Sequence, residues 1–113
     1  MHVKFSRSNK NFSIQTADTF KTKLMGLMGK KCLPKENGLF LEHCGSIHCF
    51  FMKFPIDVIY MDENRKVVFI ETVKPWKTGT FKYIFSFGKI STLEVNAGEA
   101  ENIQIGEEMQ IQF

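Results

Sequence analysis

Hydrophobic and polar positions alternate with a period of two at the start of the chain. Across residues 2–7 Val3 and Phe5 fall on one face, and across 11–15 Phe12 and Ile14 do the same. The polar Ser8-Asn9-Lys10 between them predicts a hairpin turn. The period then changes. Phe20, Leu24, Leu27 and Met28 recur every three or four residues, which makes one apolar face of a short helix. Thr16 or Asp18 caps its start. Gly29 with Lys30 and Lys31 ends it, and Pro34 bars its continuation. Gly26 inside the helix costs about 1 kcal/mol against Ala and implies close approach to the sheet. After the polar 34–38 loop the pattern predicts strands over 39–42, 47–54, 56–61, 67–73, 81–87, 89–96 and the alternating end that carries Met109, Ile111 and Phe113. The Asp62–Lys66 turn joins two of these as a hairpin. Residues 74–80 read as a loop, and 97–102 as a turn or short helix. Many short strands and one helix predict a mainly β, β-rich α+β fold. The expected form is a small barrel-like or folded antiparallel or mixed sheet with one short helix packed on it, as a single domain over 1–113.

Composition sharpens this picture. The chain has 12 Phe against 1 Trp, which suits an aromatic β core. A hydrophobic fraction of 43% is too high for a disordered chain. No run approaches the ~18 apolar residues of a membrane span. The first residues are polar and alternating, without a secretory apolar region, so a cytoplasmic location is expected. Cys32, Cys44 and Cys49 are an odd count with no paired spacing, consistent with reduced thiols. The net charge of +3 decides little. Basic residues dominate up to Lys35 and acidic ones from Glu99 onward, as on a solvated surface with two poles. With only Arg7 and Arg65, and aromatics held in strand patterns, the composition argues against nucleic-acid binding.

The candidate chemistry lies in Ser46–Asp62. Both faces of 47–54 are mostly apolar, as in a strand covered on both sides. Pro55 breaks the ladder. Beyond it Ile56, Val58 and Tyr60 share one face, and Asp57 shares the other with Ile59 and Met61. A carboxylate among large apolar residues needs a donor, because burying it unpaired costs several kcal/mol. The open alternatives for Asp57 are a structural acceptor of backbone N–H groups at the Pro55 bend, a binding or catalytic group, and exposure at a sheet edge. His48 is either a hydrogen-bonded core residue or a functional one. The spacing of His43, Cys44, His48 and Cys49 is not that of a zinc knuckle, so no metal or other cofactor is expected. Adjacent His48 and Cys49 diverge in a strand and form no local nucleophile–base pair. An Asp57–Glu71 carboxylate pair across strands is a further possibility. No phosphate-binding or nucleophile-elbow motif is present.

The order of motifs resembles the family called domain of unknown function 192, from about Phe12 to Phe113. Phe51-Met52-Lys53, leading through Pro55 and Asp57 into the Asp62 hairpin, carries most of the resemblance. Gly26-Leu27-Met28 and Leu93-Glu94-Val95 with Ala97-Gly98 support it. The chain differs in having Phe51 where many members have Trp, in lacking an Asn-Thr insertion before the proline, and in having Gly106-Glu107 where many have Gly-Asp. The resemblance implies a compact barrel-like β domain with a helix packed on it, and no established reaction.

From the residues, the expected function is a non-enzymatic binding or accessory module for an unknown small molecule or protein. Its site is expected as a groove near His48, Met52, Lys53 and Asp57, with Trp76 at the rim. The alternatives are a small hydrolase or transferase using Asp57 and His48 as acid and base, and a protein-interaction scaffold presenting a sheet edge or the basic helix surface.

Overall fold

The structure, a computed structural model, describes residues 1–16, 34–41, 54–74 and 90–112. Its strands are β1 (His2–Phe5), β2 (Asn11–Thr16), β3 (Asn37–Leu41), β4 (Ile56–Met61), β5 (Val67–Val73), β6 (Ser91–Asn96) and β7 (Met109–Gln112). They form one sheet in the order β5-β4-β6-β3-β2-β1-β7. All neighbours are antiparallel except β2 and β3, which run parallel with Ile14 opposite Gly38. The fold is therefore mainly β and built on a mixed sheet.

Turn chemistry explains the two hairpins. Between β1 and β2, Phe5 N–H donates to Lys10 O and Asn9 N–H to Phe5 O. Asn9 takes φ 58° there, in the left-handed region that Asn tolerates better than most residues. Between β4 and β5, Asp62 Oδ1 accepts from Asn64 N–H and Lys66 N–H, the self-capping by which Asp initiates a turn.

The sheet has two buried faces. One carries Leu39, Leu41, Phe54, Ile56, Val58, Tyr60, Val73 and Ile90. The other collects Val3, Phe5, Phe12, Ile14, Phe40, Ile59, Met61, Leu93, Val95, Met109 and their neighbours. The parity within each strand follows from the pleat. All six β4 residues and the middle four of β6 are buried, as strands covered on both faces must be.

The closed barrel that the strand count suggested does not form. Among the described residues the edge strands meet only at one corner. There Lys66 and Glu108 form an isolated bridge, and Gly106 N–H donates to Val67 O, Val67 N–H to Glu107 O and Met109 N–H to Arg65 O. β7 has four residues and β5 seven, so the pairing at the corner is not extended into a ladder that would close the ring. The helix expected near 18–29, the strand expected over 81–87 and all but Phe54 of the strand expected over 47–54 lie outside the described residues. No described helix is long and apolar enough to cross a membrane.

Candidate functional site

Asp57 sits on β4 opposite Thr72 of β5 and Val95 of β6, and is only 4% exposed. Its Oδ1 accepts from Thr72 Oγ1 at 2.7 Å. Its Oδ2 accepts from Gly98 N–H at 2.8 Å and Ala100 N–H at 3.1 Å. Oδ2 thus holds the turn that follows β6, while Oδ1 ties Asp57 to β5. The donors that make the buried carboxylate tolerable come from that turn and from β5, rather than from the Pro55 bend. The other expected site residues, His48, Met52, Lys53 and Trp76, lie outside the described residues. The conceivable Asp57–Glu71 pair does not form. Glu71 is opposite Val58, one register position from Asp57, and so projects from the other face.

The face bearing Glu71 holds a polar group of its own. One cross-strand row runs Leu39, Glu94, Val58, Glu71 over β3, β6, β4 and β5. Directly opposed residues share a face, so the two glutamates flank Val58, about 10 Å apart at Cα by two strand spacings. The next row places Leu41, Thr92, Tyr60 and Phe69 together. Tyr60 Oη donates to Glu71 Oε2 at 2.6 Å, and its ring lies 5.9 Å from that of Phe69.

Glu94 is 5% exposed and Thr92 fully buried. Burial pushes the Glu94 carboxyl up from 4.5 to about 7, because a low-dielectric surrounding disfavours the anion. Among the described residues no donor reaches this carboxyl, and Thr92 Oγ1 also has no partner. Among the described residues, a buried hydroxyl without a hydrogen-bond partner beside a buried carboxyl is the kind of exception that calls for an explanation. Chemically, the arrangement offers an acceptor that also donates when protonated, a neighbouring hydroxyl and a Tyr–Glu pair, all framed by Leu39, Leu41, Val58 and Phe54.

Sequence reading named Glu94 only within a family motif and placed neither it nor Thr92 in the site. In Thr-Leu-Glu-Val the alternation has the look of a half-exposed strand, polar outward. Only the central position of β6, between β3 and β4, buries the polar face. The detectable signal was a carboxylate one position from Leu93 and Val95 in a chain rich in strands greasy on both faces.

A second buried carboxylate is structural. Glu107 is fully buried. Its Oε1 accepts from Arg7 N–H at 2.7 Å, from Ser8 N–H and from Ser8 Oγ at 2.8 Å. Its Oε2 accepts from Gln104 N–H at 2.8 Å. Burial opposes its charge, but the bonds from Gln104, Ser8 and Arg7 outweigh it and hold the carboxyl below 4.5. Glu107 therefore ties the β1–β2 turn to the loop before β7. Among the described residues no group of three or more His, Cys, Asp or Glu is placed to hold a metal ion.

Fold and site together define a mixed-sheet β protein with a buried polar group set into one apolar face. Two solved structures have the same fold. A protein of unknown function from Novosphingobium aromaticivorans matches with a TM-score of 0.81 at 20% identity, covering 98% of this chain and 84% of that one. A putative transcription regulator from Sinorhizobium meliloti matches with a TM-score of 0.80 at 15% identity, covering 96% and 91%. The chain belongs to the DUF192 family, "Uncharacterized ACR", whose model matches residues 1–113. Its relatives include UPF0127 proteins from Thermococcus kodakarensis, 39% identical with 76% of this chain and 61% of the relative covered, and from Thermococcus sibiricus, 34% identical with 84% and 68% covered. One from Pyrococcus horikoshii is 41% identical over 57% of this chain and 58% of its own length. The matches thus span about three fifths of the first of these relatives and of the last.

Proposed function

We propose that this chain is a cytoplasmic, non-enzymatic, single-domain binding module for a small organic ligand. The ligand lies against the Glu94 face of the sheet. Its apolar body packs on Leu39, Leu41 and Val58, and a hydrogen-bond-donating end meets Glu94 and Thr92. His48, Met52, Lys53 and Trp76 contribute from the segments on either side of the β4–β5 hairpin. Asp57 acts from the opposite face by holding the turn after β6. The observation that carries this reading is a buried carboxyl beside a buried hydroxyl with no donor among the described residues, since a ligand donor repays a desolvation cost already incurred.

The rival acid–base reading through Asp57 and His48 is weakened because three donors occupy both Asp57 oxygens. A proton-transfer group needs an oxygen open to its substrate. A pure scaffold role has no need of a polar pair beneath the sheet surface.

The test is a thermal-shift screen of amines, sugars, nucleotides and peptides on wild type, Glu94→Ala, Thr92→Val and Asp57→Asn. A ligand at about a hundred times its Kd stabilises by about 2.7 kcal/mol. That gain is expected to vanish in Glu94→Ala, to shrink in Thr92→Val and to persist in Asp57→Asn. A ligand that stabilises wild type and Glu94→Ala equally ends this reading.

A further inference from the structure

A separate cavity of about 280 Å³ opens between the β1–β2 turn, the segment entering β3 and the turn after β6. It shares no residue with the Glu94 group. Lys10, Lys35, Glu36 and Glu99 line it, together with Gly98 and the buried Phe12. Unlike charges thus surround one small space. Among the described residues, however, neither lysine forms an ion pair with either glutamate. Opposite charges that share a cavity wall without pairing leave room for a molecule between them.

Glu99 is the best-defined element of this wall. Its Oε2 accepts Glu36 N–H at 2.7 Å, while its Oε1 is buried and has no donor. The bond to Glu36 steadies a residue at φ 59°, a left-handed conformation that a non-glycine adopts at some cost. The far side of the turn is fixed as well, because Asp57 accepts from Gly98 N–H and Ala100 N–H. Gly98 has φ 93°, and a Cβ there would meet no atom within 4 Å, so the turn borders open space. The acidic wall is therefore held in place from both sides before any ligand arrives, which lowers the ordering cost of binding.

The geometry points to this cleft as a binding site for a small zwitterion of the free α-amino-acid class. The ligand's carboxylate lies between the Lys10 and Lys35 ammonium groups and its ammonium on the Glu99 carboxylate. Among the described residues Oε1 lacks a donor and Oε2 spends only one of its lone pairs on Glu36 N–H, so the Glu99 carboxylate has acceptor capacity left for the ligand's ammonium. The volume lies at the lower limit of small-molecule pockets, which suits an amino acid and excludes a nucleotide or an oligosaccharide held whole.

The experiment is an amide NMR titration of the full chain with glycine, alanine, lysine and glutamate, alongside acetate and methylammonium as single-charge probes. The expected result is a saturable shift confined to residues 9–12, 35–36 and 98–99, for at least one amino acid. Its affinity falls about tenfold in Lys10→Ala/Lys35→Ala and in Glu99→Gln, the scale of one lost charge-assisted bond. Glu99→Gln keeps an acceptor for Glu36 N–H, and both lysines are at or near the surface, so the variants remain folded. The proposal is overturned by the absence of saturable shifts up to about 50 mM, well above a millimolar Kd. Acetate or methylammonium binding as tightly as the zwitterion overturns it too, as does unchanged affinity in the variants.

Discussion

Replacing Glu107 with Gln removes a charge and leaves the shape intact, so the cost depends on which atoms face which donors. The amide oxygen of the new side chain belongs at the Oε1 position, where Arg7 N–H, Ser8 N–H and Ser8 Oγ converge. The amide nitrogen then faces Gln104 N–H, donor against donor. A buried N–H left without an acceptor costs about 1–3 kcal/mol. Turning three charge-assisted bonds into neutral ones costs about 1–2 kcal/mol more. The expected loss is therefore roughly 2–5 kcal/mol, a large share of the ~5–15 kcal/mol that stabilises a domain. Asp57→Asn is the contrast. There one oxygen meets a hydroxyl, Thr72 Oγ1, and the other meets two backbone N–H groups. The Asn nitrogen donates to Thr72, whose hydroxyl reverses to accept, and every bond is kept at a cost of about 1 kcal/mol. Urea unfolding of both variants at about pH 7 measures the difference, with a wild-type slope in the range of about 1–3 kcal/mol/M. The pH dependence adds a second check. The Glu107 carboxyl is held below 4.5 in the folded state, so its contribution is complete above that value and is lost as pH falls through the folded value. The gap between wild type and Glu107→Gln should narrow in that acid range. The reasoning is refuted if Asp57→Asn costs as much as Glu107→Gln, or if Glu107→Gln stays within about 0.5 kcal/mol of wild type, the range of ordinary surface changes.

The Glu94 carboxyl gives the opposite pH slope. Raised from 4.5 to about 7, it favours folding when protonated, so stability is complete below 4.5 and falls as pH rises toward 7. The loss is about 3 kcal/mol at ~1.4 kcal/mol per unit, and chemical unfolding at several pH values should show it in wild type and not in Glu94→Gln. With Glu107 failing in acid and Glu94 penalising neutral pH, these two groups together place their stability maximum on the mildly acidic side. At Gly38, an added Cβ would meet Leu93 Cδ1 at 2.9 Å and Glu94 O and Val95 Cγ1 at 3.1 Å. Gly38→Ala should therefore lower the urea midpoint by the equivalent of about 1–3 kcal/mol, and a neutral result would show that β3 and β6 have slack between them.

Strands, their two faces and their hairpin turns were legible because each is a local property. Period two in Val3/Phe5, Phe12/Ile14 and Ile56–Met61 selects the face, and turn residues such as Asn9 and Asp62 join neighbours. Family membership was legible for a related reason, since it rests on an ordered string of short motifs. The need of Asp57 for donors could be read from its apolar face mates, but not the source of those donors, two of which lie far along the chain in the turn after β6. The pairing of β2 with β3 in parallel, and the insertion of β6 between β3 and β4, depend on non-local burial, about which periodicity is silent. That same insertion turns Glu94 from an apparent surface residue into a buried acid. The fold of the corner turns Glu107, one of two adjacent glutamates in a polar stretch, into an anchor for four donors. The amino-acid order alone determined which residues could face inward together. The tertiary structure decided which polar groups went in with them, because burial depends on what lies on the far side of a strand, and no local pattern records that.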